Sequence, residues 1–446
     1  MDESTSDLSL NKKSATVILS IYLMLLGLAT MVMSLLPSWL GYKSSEAISY
    51  KVEDGWCEIK SQGIGNHCFG DFYYPLTMTN LSNPWAATPN PGTPATNLFY
   101  KFFAKLTETF PGQFPLVLFL ALSLVSVVIP LIHIHLRIFH GSILKTSIVS
   151  LVVFSSSPLL ISIDRGNNQF FAIPLMYFFI YSLRVGLEGR ALVFGVILTL
   201  FKPQFALFVL VFFIYRNWRR VRQWITYSAA GYIVGFAFHY QSFPQNIKSW
   251  LGQVYSYNGY AEKGAVFPVN LSMSNLIEIV LKVTEIEIPD FFVRLMCYVI
   301  FCVAIGAIYR FGYRNSLDFN LFYISMLPIV FVETTFHYYL ILILIPVCFI
   351  FIEAMGDEQK PDSSKRQFLL QGKILRFLFG GTLVLTFIPW SVPYVLAESL
   401  IGRGWSIIGI NWLPGQFFLN SLMCWLVWCI LRRDSENYSS QDTLRR

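Results

Sequence analysis

The stretch of sequence from residue 191 to residue 215 is ALVFGVILTLFKPQFALFVLVFFIY. It is apolar throughout except around Lys202, and a charge at the centre of a bilayer costs about 2.5–3.5 kcal/mol. Pro203 lacks a backbone N–H and clashes with the preceding helical turn. The stretch therefore favours two short membrane helices, 191–201 and 203–215, with a charged tip between them.

Composition extends this interpretation to the whole chain. Of the 446 residues, 54% are hydrophobic and only 13% are charged, whereas a soluble domain usually carries about 25% charged residues. A soluble enzyme, a disordered protein and a nucleic-acid binder are excluded on this ground. Repeated apolar runs predict an all-α, polytopic membrane helix bundle of about 10–12 transmembrane segments. The runs lie at 16–36, 115–135, 145–163, 169–184, 191–201, 203–215, 223–240, 291–309, 319–335, 338–354, 374–395 and 411–431.

Basic residues predict the orientation of these spans. Lys and Arg concentrate in cytoplasmic loops, and most of the 33 in this chain fall on one side if both termini are cytoplasmic. The net charge of +7 then reflects topology and needs no nucleic-acid partner. We predict one multi-pass domain, residues 1–446, in a cell membrane. Its parts outside the bilayer are the tails 1–15 and 432–446 and the long outer loops 37–114 and 241–290.

Both outer loops contain segments with apolar residues at helical spacing. In the first loop, Thr93 and Pro94 predict an N-cap followed by proline at the first helical position. The apolar residues are Leu98, Phe99, Phe102, Phe103, Leu106 and Phe110 in the first loop, and Ile247, Trp250, Leu251 and Val254 in the second. Such helices lie in the membrane interface. They form either the rim of an opening for a lipid substrate or a lid packed over the bundle.

Two cysteines also lie in the first outer loop. Cys57 and Cys68 could form a disulfide in an oxidising compartment. No second cysteine pair accompanies them, so the sequence predicts no metal site.

The first outer loop contains a candidate catalytic carboxylate. Asp71 is followed by Phe72, Tyr73 and Tyr74. A carboxylate can accept a proton from a hydroxyl nucleophile, and aromatic faces can pack against a sugar ring. The alternative is an ordinary loop aspartate before an interfacial aromatic belt.

Three cationic candidates map to the same outer side. Arg165 could donate paired hydrogen bonds to a phosphate, Lys202 could meet an anionic head group or extend to the interface, and His337 could bind phosphate or belong to an aromatic belt. Secondary candidates are Asn167, Gln204, Asn270 and Glu333. Together they fit transfer from a lipid-phosphate donor, since cations stabilise a departing phosphate.

In order along the chain, these motifs resemble glycosyltransferase family 87. They are Gly70–Tyr74, Arg165–Asn167, Lys202–Gln204 with Arg216–Arg219, Asn270–Ser272, and His337–Tyr338. The resemblance implies a GT-C-type integral membrane enzyme that uses a polyprenyl-phosphate-linked sugar, typically mannose. It also implies that Asp71 is the general base of an inverting transfer and that Arg165, Lys202 and His337 contact the phosphate or the acceptor. The sequence itself has no cluster of Asp and Glu that demands a metal, so no cofactor is predicted.

The partners implied are the lipid bilayer, a polyprenyl-phosphate sugar donor and a glycolipid or glycan acceptor. Two other classes of function stay open at this point. A transporter or flippase for a lipid-linked saccharide would carry polar residues at the midplane of matched halves. A non-enzymatic protein of envelope assembly would tolerate changes of charge on its outer face.

Overall fold

The computed structural model describes residues 69–79, 83–85, 92–110, 114–239, 243–262, 271–332, 337–355, 377–383 and 415–430. Within these ranges the regular structure is helical and contains no strand, which confirms the all-α prediction. The first apolar run (16–36), both tails, Cys57 and Cys68 lie outside the described residues.

Fourteen α-helices can be delimited in the described part of the chain. They are α1 Gly70–Thr79, α2 Pro94–Thr109, α3 Phe114–His133, α4 Ile143–Ser155, α5 Ser157–Arg165, α6 Ala172–Arg184, α7 Glu188–Phe201, α8 Leu210–Ile214, α9 Trp218–His239, α10 Phe243–Glu262, α11 Met273–Thr284, α12 Asp290–Phe311, α13 Leu317–Val330 and α14 Ile341–Met355. Four 3-10 segments lie at Asn168–Phe171, Pro203–Val209, Gly312–Arg314 and His337–Leu340, and a π-helical turn at Ile134–Ile138. Residues 377–383 and 415–430 are also helical.

Within the described ranges, two helices are long and apolar enough to cross a membrane. They are Phe114–Ile138 and Asp290–Arg310. Shorter apolar helices lie at Ile143–Phe154, Pro203–Ile214, Leu317–Val330, Ile341–Ile350 and Gly415–Ile430. The apolar runs thus form helices where they are described, while the number of crossings stays a prediction. The run 145–163 is interrupted at Ser156, after which Pro158 opens α5.

The main core surrounds α13, in which every residue after Leu317 is buried, and α14. A smaller cluster joins α1, α2 and α3 through Phe72, Leu76, Tyr100, Phe103 and Phe119. Helices α3, α9 and α12 instead expose large apolar side chains. Such exposure is unusual on a soluble surface and is expected for helices that face lipid.

Helix α7 separates two chemically different ends of the bundle. At its start, Glu188 accepts hydrogen bonds from Asn217 at 2.7 Å and from Arg220 at 3.5 Å. At its other end it stops at Lys202. Fourteen residues of α-helix span about 21 Å. The basic cluster around Arg220 and the candidate residue Lys202 therefore lie at opposite ends, as the orientation of the basic residues predicts.

Candidate active site

Asp71 lies in the first turn of a helix and not in an extended loop. Helix α1 begins at Gly70, directly after Phe69, whose φ of 54° lies in the left-handed region. The Phe69 carbonyl accepts hydrogen bonds from the N–H groups of Phe72 and Tyr73 at 2.9 and 3.0 Å. A negative charge in the first helical turn is stabilised by the helix dipole. The local backbone therefore suits a carboxylate at position 71.

The Asp71 carboxylate is held by two side chains from the end of α5. Its Oδ1 accepts from Arg165 Nη2 at 3.1 Å and Nε at 3.3 Å, and its Oδ2 accepts from Asn167 Nδ2 at 2.6 Å. The Asp71 side chain is 22% exposed. A carboxylate offers about four lone-pair directions, and these donors occupy three of them. As far as the described residues show, one direction is left for a further hydrogen bond from solvent or substrate.

The turn after α5 explains how both partners reach Asp71. Gly166 ends the helix with φ 63° and ψ 38°, a left-handed conformation that costs glycine little. Its N–H bonds to the Ile163 carbonyl, and the Asn167 N–H bonds to the Ser162 carbonyl at 2.9 Å. This is the pattern of a Schellman-type helix end. The turn places the side chains on either side of Gly166 against the same carboxylate.

Asn167 has a fixed orientation in this turn. Its Oδ1 accepts a hydrogen bond from the Gln169 N–H at 3.0 Å, so its Nδ2 must point the other way, toward Asp71. The sequence ranked Asn167 as a secondary candidate, but the structure places it in direct contact with the candidate base. Arg165, predicted as a phosphate ligand, pairs with Asp71 in this structure.

Phe72 does not present a face to a sugar. Its side chain is 0% exposed, and its ring packs against those of Phe119 and Phe103 at centroid distances of 4.7 and 5.6 Å. The prediction that Phe72 forms a sugar platform is therefore wrong for this conformation. Tyr73 and Tyr74 are partly exposed and remain candidates. Burial raises the pKa of the Tyr73 hydroxyl.

Lys202 stands at the predicted break between two helical segments. Its backbone is extended, with φ −146° and ψ 122°, and a 3-10 segment begins at Pro203, so the break is confirmed. The Lys202 ammonium lies 4.8 Å from the centroid of the Tyr339 ring. A cation–π contact of this kind locates an ammonium group without neutralising its charge.

Side chains satisfy the carbonyl groups at the end of α7. Pro203 has no N–H to offer the Thr199 carbonyl, and the Tyr232 hydroxyl of α9 donates to it at 2.9 Å. The Thr93 hydroxyl donates to the Leu200 carbonyl at 2.7 Å, and the Thr96 hydroxyl to the Phe201 carbonyl at 2.7 Å. Unpaired carbonyls are costly in a low-dielectric environment. These contacts therefore fix the backbone that carries Lys202.

The remaining predicted residues are described only in part. His337 begins a 3-10 segment that packs against α5, the helix that ends at Arg165, but its side chain is not among the described atoms. Asn270 and Glu333 lie outside the described residues. Gln204 is partly exposed beside Lys202. Ser272 accepts a hydrogen bond from the Asn275 N–H at 3.3 Å, which confirms that it caps α11.

Helix α2 forms as predicted, and its buried face includes only some of the predicted apolar residues. Thr93 is its N-cap and accepts from the Thr96 N–H, which confirms the predicted start. Its buried residues include Asn97, Tyr100 and Phe103, whereas Phe102 is 54% exposed. This helix packs on protein through one face, which favours the lid interpretation over a helix held only by lipid. The segment at Ile247–Val254 forms part of α10.

Tyr100 and Tyr339 are site-proximal residues that the sequence did not indicate. The Tyr100 hydroxyl donates to the Asp71 main-chain carbonyl at 2.9 Å, and Tyr339 lies beneath Lys202. A hydroxyl on the apolar face of α2 was the available clue for Tyr100, since buried tyrosines usually need a polar partner. Tyr339 adjoins the His337–Tyr338 motif and carried no clue of its own.

Comparison with known protein families assigns this helical protein, with its candidate catalytic carboxylate, to a class. The family model of glycosyltransferase family 87 matches residues 73–332, more than half of the chain. The chain therefore belongs to glycosyltransferase family 87. The match includes Arg165, Asn167 and Lys202 and begins two residues after Asp71. No curated protein matches the chain.

Proposed function

We propose that the protein transfers a hexose, mannose by its motif resemblance, from a polyprenyl-phosphate-linked donor to a hydroxyl group of a glycolipid or glycan acceptor. We place the reaction at the outer face of the cell membrane. One observation carries the proposal: α5 ends at Arg165, which pairs with Asp71, and it packs against the 3-10 segment that contains Tyr339, the residue over which Lys202 lies.

Asp71 acts as the general base in this proposal. The acceptor hydroxyl donates to the open lone-pair direction of the carboxylate and passes its proton to it as the new bond to the anomeric carbon forms. The bond from the anomeric carbon to the phosphate oxygen breaks on the opposite face, so the configuration inverts. Its electron pair leaves with polyprenyl phosphate.

Lys202 stabilises the charge that develops on the departing phosphate. The Tyr339 ring contributes to holding the ammonium group in place, and a cation–π contact does not itself neutralise the charge. Preorganised cations of this kind lower the barrier because they need no reorganisation during the reaction. The leaving group is a phosphate ester, so the proposal includes no metal ion.

Arg165 and Asn167 orient the base. Together they fix both carboxylate oxygens, and such fixation keeps the reacting atoms in near-attack geometry. His337 is proposed on the phosphate side, because its 3-10 segment packs against α5 and contains Tyr339.

The test replaces Asp71 in the full-length protein in membranes supplied with labelled polyprenyl-phosphate mannose. We expect Asp71→Asn to lower transfer by about 10²–10⁴-fold, the usual contribution of a general base. Asp318→Asn is the matched control, because Asp318 also pairs with an arginine, Arg184, at 3.2 Å but at the start of α13. Equal rates in Asp71→Asn and wild type would refute the base assignment.

Donor class is tested in the same membranes. We expect transfer from polyprenyl-phosphate mannose and none from a nucleotide-linked mannose. Transfer from the nucleotide sugar alone would overturn the lipid-phosphate donor. If wild-type membranes transfer sugar from neither, the enzymatic proposal fails.

A further inference from the structure

We propose that helix α2 sets the separation between the base and the phosphate-binding lysine, with Tyr100 as a positioning residue for Asp71 and Thr96 as one for Lys202. The inference rests on the proposed function for the roles of Asp71 and Lys202. Its support is a set of contacts that α2 makes with both halves of the site.

Tyr100 contacts the main chain of the segments that carry Asp71 and its partner Asn167. Its hydroxyl donates to the Asp71 carbonyl at 2.9 Å, and the residue is only 2% exposed. The backbone of Asn168 also interacts with this hydroxyl and opposes the rise in its pKa. Asp71 is on α1, and Asn168 follows Asn167 in the turn after α5. The hydroxyl therefore links the same two segments that the Asp71–Asn167 hydrogen bond links through side chains.

The first turn of α2 contacts the main chain next to Lys202, at the end of α7. Thr96 donates to the Phe201 carbonyl at 2.7 Å, one residue before Lys202. That carbonyl ends α7 and lacks a helical partner. Thr93 makes a similar contact with Leu200. Lys202 thus follows directly from a backbone segment that α2 anchors.

The two anchoring residues of α2, Thr96 and Tyr100, have a fixed spacing. Thr96 and Tyr100 are four residues apart and so lie on one face of α2, separated by about 6 Å along the axis. Phe99 lies between them and contacts both halves, with ring centroids 4.8 Å from Phe171 and 5.8 Å from Phe201. The rigid spacing of these contacts along α2 therefore constrains how far apart the two segments lie.

The experiment separates the two anchors by their kinetic effects. In the full-length protein, we expect Tyr100→Phe to lower kcat by about tenfold, equivalent to about 1.4 kcal/mol, with affinity for polyprenyl phosphate within about twofold of wild type. We expect Thr96→Val to weaken the binding of polyprenyl phosphate by about tenfold. If both residues had only a structural role, both variants would lose stability. Tyr100→Phe would then not affect kcat alone, and Thr96→Val would not affect binding alone.

Two matched controls carry the same chemical changes elsewhere. Tyr323→Phe removes a buried hydroxyl that donates to the Ala304 carbonyl at 3.0 Å, within the main core. Thr107→Val removes a hydroxyl on α2 that bonds only to its own turn, at Ala104. If Tyr100→Phe lowers kcat no more than Tyr323→Phe does, the positioning role of Tyr100 is refuted.

The binding measurements need no turnover and so distinguish two kinds of failure. If wild type binds polyprenyl phosphate but transfers no sugar, the proposed function fails, and α2 is judged on binding alone. In that case, weaker binding by Thr96→Val but not by Tyr100→Phe or Thr107→Val supports the inference. The inference is overturned if all variants bind polyprenyl phosphate equally, or if Thr96→Val and Tyr100→Phe lose the same affinity for it. It is also overturned if the wild type does not bind polyprenyl phosphate.

Discussion

Gly166 lies against Phe72 so closely that a Cβ atom added to Gly166 would stand 2.8 Å from the Phe72 Cβ. The same added atom would lie 3.3 Å from the Phe69 Cα. The end of α5 and the start of α1 therefore approach each other closely at Gly166. Because Arg165 and Asn167 flank Gly166, this approach is what allows both side chains to reach Asp71.

Gly166→Ala should separate the two segments and weaken the hold on Asp71. A non-glycine residue at positive φ costs about 1–2 kcal/mol, and the contact with Phe72 adds a steric cost. We expect a lower melting temperature in detergent and a loss of transfer activity larger than the fall in stability explains.

Gly186→Ala supplies the control for backbone strain. Gly186 has a φ of 75°, but an added Cβ would meet nothing within 4 Å. The difference between the two variants isolates the contact with α1. If both lose the same stability and keep the same activity, the close approach has no functional role.

Helix formation and several helix boundaries could be predicted from the sequence because they depend on local features. Hydropathy gives the apolar runs, Pro203 gives the break after Lys202, and Thr93-Pro94 gives the start of α2. The grouping of Asp71, Arg165 and Lys202 on one side could also be predicted, since topology requires only a count of spans and basic residues.

The contacts within the site could not be predicted from the sequence. Arg165 and Asp71 are 94 residues apart, and no periodicity reports which partner a side chain meets across that distance. The aromatic run after Asp71 suggested a sugar platform, yet Phe72 faces the α2–α3 cluster, because side chains on a helix divide between two faces. The burial of Asn97 and Tyr100 on α2 was likewise not marked by the apolar pattern, since burial there depends on neighbouring helices.

Lys202→Ala should impair use of the lipid-phosphate donor. In the proposed reaction, removal of the ammonium group takes away the charge that stabilises the leaving phosphate, and a charge-assisted hydrogen bond contributes about 1.5–3 kcal/mol. We expect the KM for donor to rise and kcat to fall, with partial retention in Lys202→Arg. Steady-state donor titrations measure both constants.

Lys145→Ala is the matched control for Lys202. Its ammonium also lies over an aromatic ring, that of Phe139, at 6.0 Å from the centroid, but it belongs to the first turn of α4. If Lys202→Ala and Lys145→Ala have the same KM for the donor and the same kcat, Lys202 merely extends to the membrane interface.

The contribution of Tyr100 to stability should not change between about pH 6 and pH 9, because the pKa of its hydroxyl is raised well above the usual value of about 10. Burial is the main cause, and the negative charge of Asp71 adds to it. A raised folded-state pKa means that the neutral hydroxyl is stabilised on folding. That stabilisation is complete below about pH 10 and is lost only as pH rises through the folded value. Melting temperatures of wild type and Tyr100→Phe across this range should differ by a constant amount, and a difference that shrinks by pH 9 would contradict the assignment.

Tyr232→Phe should loosen the end of α7 without touching any proposed substrate contact. The variant leaves the Thr199 carbonyl without the hydroxyl that replaces the missing Pro203 N–H, and an unsatisfied buried carbonyl costs about 1–3 kcal/mol. We expect a lower melting temperature together with a raised KM for the lipid-phosphate donor, because Lys202 follows that segment. Tyr227→Phe, an exposed position on the same helix, should change neither quantity. A loss of stability with an unaltered KM would show that the position of Lys202 does not depend on this cap, and that the contacts from Thr93 and Thr96 suffice to hold it.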